Sequence, residues 1–365
     1  MERLSPLQFR LLAMAIIIST LLVHVPTLVL LVAGRDSWMC MLPGLLLIIP
    51  YGYMVIALMN DYPGDNLLQV SEKVFGKWIG KGIGVLFALV FTYLGGLVLS
   101  QPGIILANSS MPLTPAWIFH LTIALLVLML GWAGIEVLGR FTEVVLPFTF
   151  LMLITVLAFT VPHFEKGELF PLLDNGIKPV LQGTVQVLPQ SLEYIGVLAM
   201  LLPFLPNDKK SQKNLFKSLC TTAVVVGLAA TIFMGVLIMV FSYEVAVRFS
   251  FPLVVLSKMA SLKHTLAGGE SIMEMVGIGA FIIKSAALFF ASFWALAYLF
   301  NLKSKLWKIG LVIIYVSVAI ITIRGIDFFL ETKTLDNFVI LPFIGMWIPT
   351  LWVMNLWKRR KKHEK

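Results

Sequence analysis

Two ionisable residues lie where charge is costly to place. Glu193 sits in Val187-Leu188-Pro189-Gln190-Ser191-Leu192-Glu193-Tyr194-Ile195-Gly196, and Lys284 in Phe281-Ile282-Ile283-Lys284-Ser285-Ala286-Ala287. Both stretches belong to long apolar runs. A carboxylate at the centre of a membrane helix costs about 2.5–3.5 kcal/mol on insertion scales. Two chemistries can justify that cost. A Glu193–Lys284 ion pair would explain both residues structurally. A role in proton transfer or in holding a ligand's charge would explain them functionally. Lys284 lies too deep in its run to carry its ammonium easily to the membrane surface.

A second polar group interrupts the first apolar run, in Ile18-Ser19-Thr20-Leu21-Leu22-Val23-His24-Val25-Pro26. Pro26 removes a backbone donor and crowds the preceding turn. Ser19 and Thr20 are able to satisfy the backbone groups so freed. His24 places an imidazole near mid-membrane depth, either as a hydrogen-bonded core residue or as a ligand contact. In the Glu193 stretch, Pro189, Gly196 and the polar Gln190, Ser191, Glu193 and Tyr194 form a similar weak point, with Pro203 and Pro206 beyond. Irregular backbone at membrane depth survives only where protein or a water-filled cavity receives it. Both interruptions are therefore candidate cavity walls.

Other chemistries are not encoded. There is no HExxH, no GxSxG and no His/Cys cluster at metal-ligand spacing, so neither an enzyme nor a metal centre is expected, and no cofactor. Gly80-Lys81-Gly82-Ile83-Gly84 lacks the Gly-Lys-Ser/Thr ending of a phosphate loop; its glycines at i and i+4 suit close helix approach instead. Cys40 and Cys220 are too few for a disulfide framework and read as small buried hydrophobes.

The elements that must hold these residues follow from composition. Of 365 residues 59% are hydrophobic and 13% charged, with a mean hydropathy of +0.94. Soluble domains carry about 25% charged residues. Half that density cannot coat a water-soluble surface, so the chain reads as a polytopic helical membrane protein. Ten stretches reach the length of about 17–25 residues needed for a span: roughly 8–32, 37–59, 79–100, 115–134, 141–162, 181–205, 216–242, 271–300, 306–324 and 337–357. The first lacks a cleavage site and reads as a span, not a removed signal peptide. Regions 60–78, 163–180 and 243–270 are too polar or too broken to cross, and the last could form a short helical lid over the outer mouth.

Most of the 28 lysines and arginines fall on one side when the N-terminus is placed inside. The inside segments include Lys73, Lys77, Lys81, Arg140, Lys209, Lys210, Lys213, Lys217, Lys303, Lys305, Lys308 and the tail Lys358-Arg359-Arg360-Lys361-Lys362. Both termini should then be cytoplasmic. The net charge of +9 belongs to this asymmetry and to a basic tail, 358–365, suited to anionic lipid rather than to nucleic acid. Trp38, Trp78, Trp117, Trp307, Trp347 and Trp357 lie near span ends, as an interfacial belt requires. Ten spans divide into five plus five. An odd number per half inverts the second half, which permits an inverted repeat over about 8–162 and 181–357 within one transmembrane domain. Spans 1 and 6 then correspond, and both carry the breaks described above.

Several segments resemble the B-subunit family of spore germinant receptors, a permease-like branch of the amino acid–polyamine–organocation transporter superfamily. They are Leu4-Ser5-Pro6-Leu7-Gln8, Val25-Pro26, Gly34-Arg35-Asp36-Ser37-Trp38, Gly76-Lys77-Trp78-Ile79-Gly80-Lys81, Leu113-Thr114-Pro115, Gly134-Ile135-Glu136-Val137-Leu138-Gly139-Arg140 with Pro147, and Pro171-Leu172-Leu173-Asp174-Asn175-Gly176 with Pro179. Their order and spacing run nearly end to end. Glu193 and Lys284 fall where members of this family often carry the same residue types.

The resemblance implies an all-α, ten-span LeuT-like fold with a 5+5 inverted repeat and broken helices 1 and 6. It implies a ligand held between spans 1, 3, 6 and 8, so Tyr93 and Gln101 of span 3 join Ser19, Thr20, His24, Gln190, Ser191, Glu193 and Tyr194 as candidate contacts. It implies that Lys284 stands where related transporters often bind sodium, so that its ammonium replaces the cation. It further implies an A subunit and a lipoprotein C subunit as partners, in the spore inner membrane, and a small nutrient, typically an amino acid, as ligand. The chain departs from the pattern in its first break, which has no glycine: Leu21 narrows the site and His24 adds a contact. Gly277 also stands where a tryptophan is common. Three functions follow: a nutrient-sensing subunit, a proton-coupled amino-acid transporter, or a structural subunit with an inert pocket.

Overall fold

The computed structural model describes residues 4–204 apart from 22 and 24, 209–261, 269–302, 304, 306–323, 334 and 336–363. Among these residues the secondary structure is helical throughout, with no strand. Seven helical runs are long and apolar enough to cross a membrane, the longest of them Val25–Asp61 and Lys77–Ser109.

Span 1 is two helices, α1 (Pro6–Leu21) and α2 (Val25–Ala33). Pro26 is the second residue of α2, a position where a missing N–H leaves no helical bond unmade. The proline thus starts the second half-helix rather than kinking a continuous one. Span 2 is α3 (Trp38–Leu46) and α4 (Ile48–Asp61). A short helix follows, α5 (Leu67–Phe75), fixed at its start by a reciprocal cap between Asn66 and Gln69. Spans 3, 4 and 5 are α6 (Lys77–Ser109), α7 (Ala116–Ala133) and α8 (Ile135–Thr160).

The second half begins with α9 (Ile177–Leu201), continues with α10 (Lys209–Phe241), the short α11 (Tyr243–Ala246) and α12 (Pro252–Ser261), and then α13 (Gly269–Phe300). Spans 9 and 10 are α14 (Trp307–Ile323) and α15 (Leu341–His363), the latter entered through a π-turn at Asp336–Ile340. The expected interruption of span 6 is displaced. Pro189 lies inside α9, and irregular geometry begins only at Leu202–Phe204, near Pro203. Helix-internal proline is tolerated in membranes where neighbouring groups re-satisfy the backbone. The Ser191 hydroxyl donates to Val187 O (3.2 Å) within the same stretch of helix.

α13 is the central pillar. It packs on α6, α8, α1, α7 and α9, and its residues 280–293 are buried without a gap. Small residues allow close approach around it. A Cβ on Gly95 would lie 2.1 Å from the Tyr315 ring, and one on Gly80 would lie 2.4 Å from the Glu72 backbone. The latter places α6 directly on α5, as the glycine spacing suggested. The outer faces of α6, α7, α8 and α10 expose Leu89, Met129, Val144, Ile154 and Ile232, an apolar surface suited to lipid. Trp78, Trp117, Trp307 and Trp357 are exposed, as a belt requires, and Trp38 is half-buried. Trp347 departs from the belt. It is buried and donates to Ser71 Oγ at 3.0 Å, because α5 folds back over the end of span 10.

Candidate ligand-binding site

Glu193, Lys284 and Thr20 come from α9, α13 and α1, and they meet. The Lys284 ammonium donates to Glu193 Oε2 at 2.8 Å and to Thr20 Oγ1 at 3.1 Å. The two charged side chains are 1% and 4% exposed, so the pair is dry. The geometry follows from the break in span 1. Thr20 is the penultimate residue of α1, whose unsatisfied carbonyls give its end a partial negative charge. An ammonium is favoured there, and Glu193 completes its neutralisation. Glu193 Oε1 has no hydrogen-bond partner among the described residues.

The remaining candidates distribute around this centre. Ser19 is buried, but its hydroxyl donates back to Ile16 O at 2.9 Å within α1. Ser191 is likewise bonded within its own helix. Gln190 is buried on the same stretch of α9. Tyr194 is buried but looks elsewhere. One residue along a helix is a rotation of about 100°, and Tyr194 faces Phe9, Val55, Leu215 and Leu219. Tyr93 is half-buried and packs against the core. Gln101 is buried, with no partner for Oε1 among the described residues. His24 lies outside the described residues.

Sequence reasoning missed three groups. Tyr315 and Ser292, both buried, share a hydrogen bond of 3.2 Å beside Gly95. His120 is buried, its Nε2 3.1 Å from Ser100 O. Lys308 is 9% exposed and donates to Gly131 O at 2.6 Å. A glycine opposite a bulky ring was the visible signal for the first. Lys308 gave none, because its number places it at a span end, where a lysine is ordinary.

The two ends of the bundle differ. At one end α2 is held by surrounding loops: Thr27 Oγ1 donates to Phe249 O (2.8 Å), Leu173 N donates to Asp36 Oδ1 (3.1 Å), and the Arg35 guanidinium donates to Phe170 O. Residues 243–251 thus lie against span 1, part of the lid expected over 243–270, of which 262–268 fall outside the described residues. At the other end, where Leu4 N donates to Phe204 O at 3.1 Å, a cavity of about 870 Å³ lies between α5, α9, α13 and α14.

Residues 3–327 match the family described as spore germination protein. The chain belongs to that family. Among curated proteins it is similar to spore germination protein KB of Bacillus subtilis (strain 168), 24% identical over 91% of this chain and 90% of that protein. Spore germination protein YndE of the same organism is 27% identical over 49% of this chain, so the match spans about half of that relative's length. Among solved structures, MhsT in complex with L-phenylalanine superposes with a TM-score of 0.72 at 13% identity, covering 95% of this chain and 88% of that one. The likeness establishes a LeuT-like transporter fold. This member of the germination family is thus a multi-pass, permease-like membrane protein, and its family is not an enzyme class.

Proposed function

We propose that this chain is the nutrient-sensing membrane subunit of a spore germinant receptor. It binds a small amino-acid-class nutrient at the break in span 1 and signals through an A subunit and a lipoprotein C subunit. Its place is the spore inner membrane, with both termini cytoplasmic and with residues 8–162 and 181–357 as the two inverted repeats of one domain. The observation that carries this reading is the Lys284 ammonium bridging the end of α1 to Glu193. A buried charge pair is weak evidence for stability, because an apolar replacement is often as stable. One placed across a broken helix is a two-state element. Whatever competes for Glu193 or Thr20 changes how α1 and α9 are held to α13.

A zwitterionic amino acid has the groups to compete. Its ammonium suits Glu193 Oε1, and its carboxylate suits the amino end of α2. That MhsT binds L-phenylalanine on the same fold supports the ligand class. Lys284 supplies a fixed cation at the α1 end, so ligand binding needs no sodium. The ligand shifts the equilibrium between two conformations in proportion to its differential affinity for them.

The test is germination of spores carrying Glu193→Gln or Thr20→Ala with their cognate partners, across a nutrient panel, with complex abundance measured by immunoblot. A dose response shifted at least tenfold for one nutrient class, at normal abundance, is expected. Unchanged responses in both variants would sink the sensing role of this site. A second reading, proton-coupled amino-acid transport, is favoured by Glu193 Oε1, which has no hydrogen-bond partner among the described residues and is able to carry a proton. Uptake of labelled amino acid into proteoliposomes driven by a pH gradient separates the two.

A further inference from the structure

At one corner of the bundle the end of α15 is fastened to α5. Arg359 pairs with Asp61 at 2.9 Å, and Asn355 Nδ2 donates to the same carboxylate at 2.6 Å. The Tyr62 hydroxyl donates to Asn355 Oδ1 at 2.9 Å. Lys358 Nζ donates to Lys73 O, in the last turn of α5, at 3.2 Å, and Lys73 itself pairs with Asp65. Gly76, at φ 91°, then turns the chain into α6, which begins at Lys77. These contacts gather α5, α6 and α15 at one edge with their cations outward: Lys73, Lys77, Lys81, Lys358, Arg359 and Arg360 are all exposed.

The two helices that face lipid here repeat one order, cations outermost and apolar side chains below. On α6, Lys77, Lys81, Val85 and Leu89 follow at i+4 and share a ridge, and all four are exposed. On α15, exposed Val353 and Trp357 lead outward to Lys358 and Arg360. Tryptophan settles at headgroup depth. Trp78 is 89% exposed, and Lys77 stands one residue outside it, as Lys358 stands one residue outside Trp357. Both ammoniums are thereby set at the level of the phosphates, and Lys81 reaches the same plane by its long stem. Lys77 and Lys81 form a like-charged i,i+4 pair, which is unfavourable until an anion joins it. The sign of the corner follows from sequence alone: residues 73–81 hold three lysines and no acid, and residues 358–365 hold six bases and one acid. An acidic protein would meet these cations but leave the ridge beneath them uncovered. A phospholipid covers both, and an anionic one brings no ammonium of its own.

We propose that this corner is a binding site for an anionic phospholipid, its headgroup phosphate held by Lys77, Lys81 and Lys358 and a chain lying along Val85 and Leu89. Bound lipid bridges α6 and α15 and strengthens the seating of α15 on α5. The Glu193–Lys284 site takes no part, so this reading and the sensing role can fail separately.

The experiment places the full chain in phosphatidylcholine nanodiscs that carry a minor share of brominated phosphatidylglycerol or, in the control, of brominated phosphatidylcholine. Tryptophan quenching is read, and the corner's share is the part that Trp78→Phe/Trp357→Phe removes. At equal mole fraction the anionic lipid is expected to quench that part about threefold more. The preference should vanish in Lys77→Gln/Lys81→Gln/Lys358→Gln and persist in Lys77→Arg/Lys81→Arg/Lys358→Arg. It should also persist in Lys166→Gln/Lys178→Gln, whose exposed lysines lie at the other end of the bundle. Thermal unfolding is the second readout: phosphatidylglycerol should raise the midpoint of the unaltered protein and not that of the triple glutamine variant. Equal quenching by the two lipids in the unaltered protein would overturn the proposal and leave the cations to an acidic protein. A preference that survives the triple glutamine variant would overturn it by placing the lipid elsewhere, and one abolished by inorganic phosphate would assign the corner to a free phosphate instead.

Discussion

Among the described residues two lysines are buried, Lys284 and Lys308, and their surroundings are opposite. Lys284 meets a carboxylate and a hydroxyl in a dry junction of three helices. Lys308 meets a backbone carbonyl and two aromatic faces at the wall of a large cavity. The first has its charge neutralised by protein. The second is set against a carbonyl and two ring faces beside open space. Burial alone therefore does not say what a membrane lysine does; its surroundings do. The two sites are also linked in chain. Phe290, which faces Lys308, follows Lys284 by six residues on α13, about 9 Å along the axis.

The contrast breaks most sharply at Lys284. Lys284→Met leaves Glu193 buried without a cation, and loss of one member of a buried pair costs about 3–5 kcal/mol. Thermal unfolding in nanodiscs should show it, and the double variant Lys284→Met/Glu193→Gln should recover most of the loss. If the double variant is as unstable as the single, the pair is not the source of the effect. Lys308→Met should have a smaller effect, about 1–3 kcal/mol, because a hydrogen bond to Gly131 O and contacts with the Phe290 and Phe293 rings are lost. A loss equal to that of Lys284→Met would erase the distinction between the two lysines. The smallest effect is expected at the terminal face. Arg359 pairs with Asp61 at 2.9 Å but is 58% exposed, so Arg359→Ala should change stability by less than about 1 kcal/mol. A larger change would mean that the network of Asp61, Tyr62 and Asn355 around it acts as a structural latch.

Much of this architecture was legible in residue order. The break in span 1 could be read from Pro26, because a proline early in a helix is compatible only with a start, and the structure begins α2 at Val25. Pairing of Glu193 with Lys284 could be anticipated because each charge is too costly to leave alone in lipid. Span 6 was harder. Pro189 and Gly196 suggest an interruption, yet α9 passes through both, since the stretch is buried and closely packed on its neighbours. Tyr194 shows a further limit. Adjacent to Glu193 in sequence, it points to a different neighbour, and only helix rotation and packing decide that.

The sequence by itself determined that this chain lives in a bilayer, that it is helical, where its first helix breaks and which charges must find partners. Those are consequences of transfer free energy and backbone stereochemistry, which act locally along the chain. Tertiary structure decided that Thr20 is the third member of the Glu193–Lys284 junction, that Trp347 leaves the membrane belt for Ser71, and that Lys308 borders a chamber rather than the aqueous rim. Each depends on how distant helices meet across the bundle, and no local preference encodes that meeting.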